Sequence, residues 1–497
     1  MKRKLTALLT ALILLTIFTT PAHAAMPSEQ ATAIPTEQST AIQSFLEEAQ
    51  RVSGAPGISV AVLIDGETHF FSTGVANRNT SALANEHTIW ELASVSKAFT
   101  ALGLLYLEEQ GYLSLTDSIA DHLPWFTLRY NGQSVDMREV RLYHFMHSTV
   151  GLTNMGHLDV WAQSLEDAVR GYVDAELVFL PGERFEYSSP AYNILGLVME
   201  GVTGQRFEDF METQIFAPLG LHQTFADRSR AMATGQMARG YMRQFIFMTH
   251  LHNPPTYRGI VPTGGMYSSP QDMARWMGIQ LGIVEDIPEI FKRLIPVSHE
   301  TERSVVSTTE GVFYGTYYAA GWLTSENPRR IEHGGNNPGF QAYALLLPEE
   351  QIGISILVNL AQTIDITFMA NSIADILGGN LETSYQMGEL QVMDIIFTII
   401  TLVAGALAIV FFILGLRRMK HGARRPITKK RIVLIACWAA FTLAMCALAY
   451  AFSYMAMGVD WSFALTLIPV SFLTWLIALA LLGASITWFV AFPRRAK

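Results

Sequence analysis

Three long apolar segments close this chain, at about Val392–Leu416, Ile432–Met455 and Trp461–Phe492. Each is long enough to cross a bilayer as a helix, and a buried soluble helix of that length would show a polar face. Between the first two lie Arg417, Arg418, Lys420, Arg424, Arg425, Lys429, Lys430 and Arg431, whereas the second connection carries only Asp460. The positive-inside rule places this basic loop, 417–431, and the Arg494–Arg495 tail in the cytoplasm. The chain before the first span is then outside. Asp394 sits at the edge of the first span and calls for no functional explanation, and with no other ionisable residue in the three segments a transport role is poorly supported.

The other end agrees. Lys2, Arg3 and Lys4 precede the apolar run Leu5–Phe18, and Ala22-His23-Ala24 follows as a small-x-small cleavage site. Residues 1–24 read as a secretory signal peptide and 25–40, rich in Ala, Thr, Ser, Gln and Pro, as a flexible linker. The multi-pass cell-membrane protein expected from this carries an extracytoplasmic domain over 41–383, spans at 392–416, 432–455 and 461–492, and a cytoplasmic C-terminus. From Ala25 to Gln391 there are 20 basic against 41 acidic side chains, about −21, which argues against a nucleic-acid partner. Cys437 and Cys446 both fall in the second span, so the outer domain carries no disulfide and relies on its core.

Within that domain, Ser94 and Lys97 stand three apart at the start of a run with helical apolar spacing (Ala98, Leu102, Leu105), which puts both side chains on one face of the first turn. A hydroxyl needs a neighbour to take its proton, and a lysine serves only when burial keeps it neutral part of the time. Between Ala25 and Leu416 the only lysines are Lys97 and Lys292, every other basic residue being arginine. Arginine cannot be deprotonated in a protein, so Lys97 reads as chosen for its chemistry.

A short amphipathic helix is expected over Ile42–Val52. Gly57–Ile64 and Thr68–Val75 read as strands joined by the hairpin turn Asp65-Gly66. Arg138–Met146 is helical in pattern, and Tyr187 lies on a turn just before a helix over Tyr192–Thr203. Pro262–Ser269 is a glycine-rich turn ahead of a helix over 270–281. Gln341–Leu347 and Ile352–Val358 form a second hairpin, and Ile364–Leu377 a closing helix. Strands at both ends of the domain and helices between them suggest one antiparallel sheet built from both ends, with the middle forming a helical lobe. Tyr241–Tyr257, rich in Met and aromatic residues, has no position readable from pattern.

Several motifs in order carry a family resemblance. Glu91-Leu92-Ala93-Ser94-Val95-Ser96-Lys97, His147-Ser148-Thr149-Val150-Gly151-Leu152, Gly264-Gly265-Met266-Tyr267-Ser268 and Glu332-His333-Gly334-Gly335 with Gly339-Phe340 together resemble the serine β-lactamase and penicillin-binding-protein superfamily, in its class C β-lactamase-like branch. The resemblance implies an α/β, two-lobed domain: an antiparallel sheet flanked by helices, and an all-helical lobe. It implies Ser94 as acylated nucleophile, Lys97 as its proton partner, Tyr187 as general base, and the backbone N–H groups of Ser94 and Asn336 as oxyanion hole, without a metal or cofactor. Ser189, His333, Gly334 and Gly335 would contact substrate. Two positions depart from the family: Ser189 replaces an asparagine, and His333 stands where a permanent cation usually holds the substrate carboxylate. The expectation is a serine hydrolase for an ester or a D-amino-acid amide, small or peptidoglycan-related. A penicillin-binding D,D-carboxypeptidase or weak β-lactamase is the alternative, and a catalytically silent binding or sensing module is the alternative of another class.

Overall fold

The computed structural model describes residues 34–153, 162–246, 248–252, 258–305, 307, 314–361, 364–421, 428–457 and 469–491. The expected signal peptide, most of the linker, parts of the 241–257 stretch, the centre of the basic loop, Asp460, the start of the third span and the Arg494–Arg495 tail lie outside them.

Among the described residues the first element is helix α1 (Thr36–Ser53), which starts six residues earlier than its apolar pattern suggests and inside the stretch expected as linker. Its stripe Ile42, Phe45, Leu46 and Ala49 is buried, and Gly54, at φ 72°, ends it in the left-handed conformation that glycine adopts without strain. Strands β1 (Gly57–Ile64) and β2 (Glu67–Asn77) follow as the expected hairpin. Asp65 and Gly66, at φ 51° and 79°, supply the two positive angles that a tight two-residue turn requires. The short strand β3 (Ala82–Leu83) ends this edge of the sheet.

Helix α2 (Ser96–Glu109) carries Lys97, and α3 (Ser189–Thr203) starts two residues after Tyr187. Between them, Arg138–Met146 is not one helix. A single turn at Met137–Glu139 and a helix at Leu142–Met146 are separated by extended Val140, whose buried carbonyl accepts from Ile119 N at 2.9 Å. That tertiary bond outweighs the local pattern. Then come the hairpin β4 (Gly240–Phe245) and β5 (Met248–His252), and helix α4 (Pro270–Gln280), capped by the Ser269 side chain. Strands β6 (Tyr317–Tyr318), β7 (Leu323–Glu326), β8 (Arg329–Asn337), β9 (Phe340–Leu347) and β10 (Ile352–Val358) lead to helix α5 (Ile366–Leu377).

The main sheet runs β6-β7-β8-β9-β10-β1-β2-β3, with neighbouring strands antiparallel throughout. Pairing of β1 with β10 closes the sheet from the two ends of the domain. Both faces of the central strands are covered, which is why β1 reads as a nearly continuous apolar run. Ile58, Val60, Val62, Ile354 and Ile356 pack with α1 and α5, whereas Ala61, Leu63, Ala344 and Leu346 join the core that holds α2, α3 and α4.

Three helices, α6 (Glu389–His421), α7 (Lys429–Met457) and α8 (Ser471–Ala491), are long and apolar enough to cross a membrane. Helix α8 packs against both others, with Trp475 stacked on Phe397 at 4.9 Å between centroids.

Candidate active site

Ser94 does not open the helix directly. It lies in a single turn, Ala93–Val95, immediately before α2, and Ala93 takes φ 46°. A positive φ is strained for an alanine and marks a backbone held by its surroundings. Here Leu92 N donates to Met266 O at 2.8 Å, and Met266 N to Ser96 Oγ at 3.2 Å. The kink leaves Ser94 partly exposed in a segment whose other residues are buried.

Lys97 is 0% exposed, and its Nζ lies 3.0 Å from Ser94 Oγ and 2.8 Å from the Thr263 carbonyl. It also stands 5.0 Å above the Tyr187 ring and 5.8 Å above Tyr192. Among the described residues no carboxylate pairs with it. Burial therefore holds its pKa well below the ordinary lysine value. A neutral amine satisfies both contacts: its lone pair accepts from the Ser94 hydroxyl, and an N–H donates to the carbonyl.

The Tyr187 hydroxyl is hydrogen-bonded to those of Ser94, Ser189 and Tyr318, so the structure brings together the three side chains that the sequence singled out. Their protonation differs from expectation. Burial pushes the Tyr187 phenol up to about 12, more than its three hydroxyl partners offset. A phenol held protonated has no free charge with which to take a proton, which leaves Lys97, its pKa lowered by burial, as the group of this set able to act as a base.

Ser189 is buried at the start of α3 and hydrogen-bonded to the Tyr187 hydroxyl. His333, 2% exposed, has Nδ1 at 2.7 Å from the Gly334 carbonyl and Nε2 at 3.0 Å from the Tyr318 hydroxyl. The Gly334 carbonyl requires the proton on Nδ1, and Tyr318 O–H then donates to Nε2. Burial, reinforced by Lys97, lowers this imidazole to about 3, so His333 is a neutral, engaged wall of the site and offers no cation.

Strand β8 passes beside the nucleophile. A Cβ on Gly335 would stand 2.4 Å from Leu92 O and 2.9 Å from Ser94 N, so only glycine allows this approach; Gly334 faces the Tyr343 ring instead. Strand β7 pairs with β8 only over Arg329–Glu332, leaving the His333–Asn337 edge, which includes Asn336, with no strand on that side among the described residues. An extended substrate can lie along such an edge and bond to the main chain.

Two groups here hold places that the sequence reading assigned to neither. Tyr318, on a two-residue strand, ties Tyr187 to His333. Glu91 is buried, and its carboxylate accepts from Asn337 Nδ2, which also donates to Gly264 O at 2.7 Å, so one amide fastens the end of β8 to both segments framing Ser94. Burial raises Glu91 to about 7, against the pull of Asn337 and Arg228.

Residues 42–375 match the Beta-lactamase family. Protein flp of Staphylococcus aureus (strain COL) is 28% identical over 459 residues, covering 88% of this chain and 88% of its own. Penicillin-binding protein 4 of Amycolatopsis lactamdurans is 31% identical over 173 residues, 34% of this chain and 44% of its own. Among solved structures, the octameric penicillin-binding protein homologue from Pyrococcus abyssi superposes with a TM-score of 0.62 at 24% identity, covering 70% of this chain and 79% of that one.

Proposed function

The chain belongs to the beta-lactamase family of acyl-enzyme serine hydrolases, and on that footing we propose that it is a membrane-anchored extracytoplasmic enzyme that cleaves an ester or a D-amino-acid amide through Ser94. The observation that carries this reading is the 3.0 Å contact between Ser94 Oγ and a fully buried Lys97 without an acidic partner among the described residues. Lys97, neutral, takes the Ser94 proton as Oγ attacks the substrate carbonyl carbon. The N–H groups of Ser94 and Asn336 receive the oxyanion, each such donor being worth roughly 10²- to 10³-fold in rate. The proton passes from Lys97, with Tyr187 as the protonated relay, to the leaving oxygen or nitrogen. A water then attacks the acyl carbon as Lys97 takes its proton; the bond from that carbon to Oγ breaks and the proton returns to Oγ, releasing the acid and free Ser94.

The substrate class follows from what the wall lacks. His333 is neutral and committed to Tyr318, and Ser189 to Tyr187, so neither presents the fixed charge or the amide that would hold a β-lactam by its carboxylate and side chain. The open edge of β8 still suits a peptide-like substrate. The relative named a penicillin-binding protein keeps a penicilloyl adduct as the second reading. The test is hydrolysis of an aryl ester and of a D-alanyl anilide by the membrane-embedded protein and its Ser94→Ala variant. Turnover that depends on Ser94 is expected; unchanged hydrolysis in the variant would refute the proposal.

A further inference from the structure

Asp394 is the one acidic or basic residue inside the three apolar segments, and the structure gives it a partner that the sequence does not suggest. Its carboxylate is fully buried and accepts from Arg243 Nε at 2.6 Å, from Ser471 Oγ of α8 at 2.5 Å and from Thr398 Oγ1 at 3.4 Å. Arg243 belongs to β4 of the catalytic domain, and its side chain is only 5% exposed. Its other donors reach the Ser53 carbonyl at the end of α1 and the Ile246 carbonyl at 3.2 Å. One turn before Asp394, Gln391 Nε2 donates to the Val52 carbonyl at 2.7 Å. A flexible tether would need none of this: two elements of the catalytic domain and two of the apolar helices meet on one desolvated ion pair.

We propose that the three helices are a docked part of the catalytic unit, locked to it through Arg243 and Asp394, and that the cleft is therefore held at one orientation to the bilayer. This rests on the membrane-anchored reading above. Removing one member of a buried pair strands the other charge, so the lock is all-or-none in character. It also lies close to the site. Two residues before Arg243, Tyr241 N donates to the carbonyls of Gly339 and Asn359 at 3.3 and 3.2 Å, and Gly240 packs on Phe340. Gly339 is the turn that ends β8, so β4 connects Asp394 to the strand carrying Asn336. An enzyme held in this way acts on substrate presented at the membrane surface, within reach of one fixed cleft, and does not sweep the surrounding envelope.

The test uses the full chain in membranes with a specific protease site placed in the exposed stretch Gly378–Glu382, between α5 and α6. Ester hydrolysis before cutting reports the catalytic reading, and partition after cutting reports this one. The wild-type catalytic fragment is expected to sediment with the membranes through a high-salt wash. Fragments of Arg243→Gln and Asp394→Asn that still hydrolyse ester before cutting are expected in the supernatant, at least ten-fold enriched. Release of the wild-type fragment overturns the proposal whatever the variants do, as does retention of both variants equal to wild type.

Discussion

Replacing Gly335 with alanine adds one methyl group where β8 crosses the nucleophile turn. The new Cβ would meet Leu92 O at 2.4 Å, Ser94 N at 2.9 Å and the Ala93 side chain at 3.0 Å, whereas ordinary contact begins at 3.4 Å. The first two atoms are backbone, held from behind by the bonds that Leu92 and Ser96 make to Met266, so they cannot swing aside. Strand and turn must part by about 1 Å, and a misplacement of that size is worth about 10²-fold in rate. Because the two N–H groups proposed as oxyanion donors, those of Ser94 and Asn336, border this contact, their separation changes directly, and the loss of one donor sets an upper range of roughly 10³-fold. The expected result is a 10²- to 10³-fold fall in kcat for an aryl ester with KM within a few-fold, while thermal melting shows the domain still folded. Activity within three-fold of wild type would refute the packing argument and the position assigned to the oxyanion hole.

Lys97→Arg puts a permanent cation where a neutral amine is needed, and general-base contributions are typically about 10²- to 10⁴-fold, so hydrolysis should fall by that amount from pH 5 to pH 9. Recovery to wild-type rates at pH 9 would contradict the assignment of Lys97 as base. Wild-type activity should in turn persist to neutral pH, since burial lowers the lysine's pKa and keeps a neutral amine available there. Glu91 makes a stability prediction. Its folded-state value is about 7 against 4.5 for the free side chain, so between those limits the unfolded chain sheds a proton that the folded one keeps, and stability falls as pH rises. At 1.36 kcal/mol per unit the effect approaches about 3 kcal/mol. Glu91→Gln should therefore melt higher than wild type at pH 8 and alike at pH 4.5, and a lower melting point at pH 8 would count against this account.

Features written in local chemistry were legible in the sequence. Asp65-Gly66 set the β1–β2 register, the apolar spacing after Ser94 gave α2, and length and apolarity alone marked the three C-terminal helices. The helix over Arg138–Met146 was misread because the Ile119–Val140 bond comes from a segment some twenty residues away. The pairing of Ser94 with Lys97 was legible because it is a one-turn contact. The place of Tyr187 on a turn just before a helix was readable, but its protonation was not, because that depends on burial against Tyr318. His333 was read as a substrate contact standing where a permanent cation usually lies. Only the distant Tyr318 hydroxyl and the depth of the site reveal a neutral acceptor. Asp394 looked incidental for the same reason, since its partner lies 151 positions away.

The central claim is a covalent intermediate on Ser94, and intact mass spectrometry tests it most directly. Full-length protein is mixed with an activated aryl ester or with a penicillin, quenched in acid within seconds, and weighed beside Ser94→Ala. The account predicts an acyl adduct of the ester's mass on wild type and none on the variant, with little or no penicilloyl adduct because no fixed cation at His333 holds its carboxylate. Ester turnover with no adduct at any quench time, or an adduct that survives in Ser94→Ala, would contradict it.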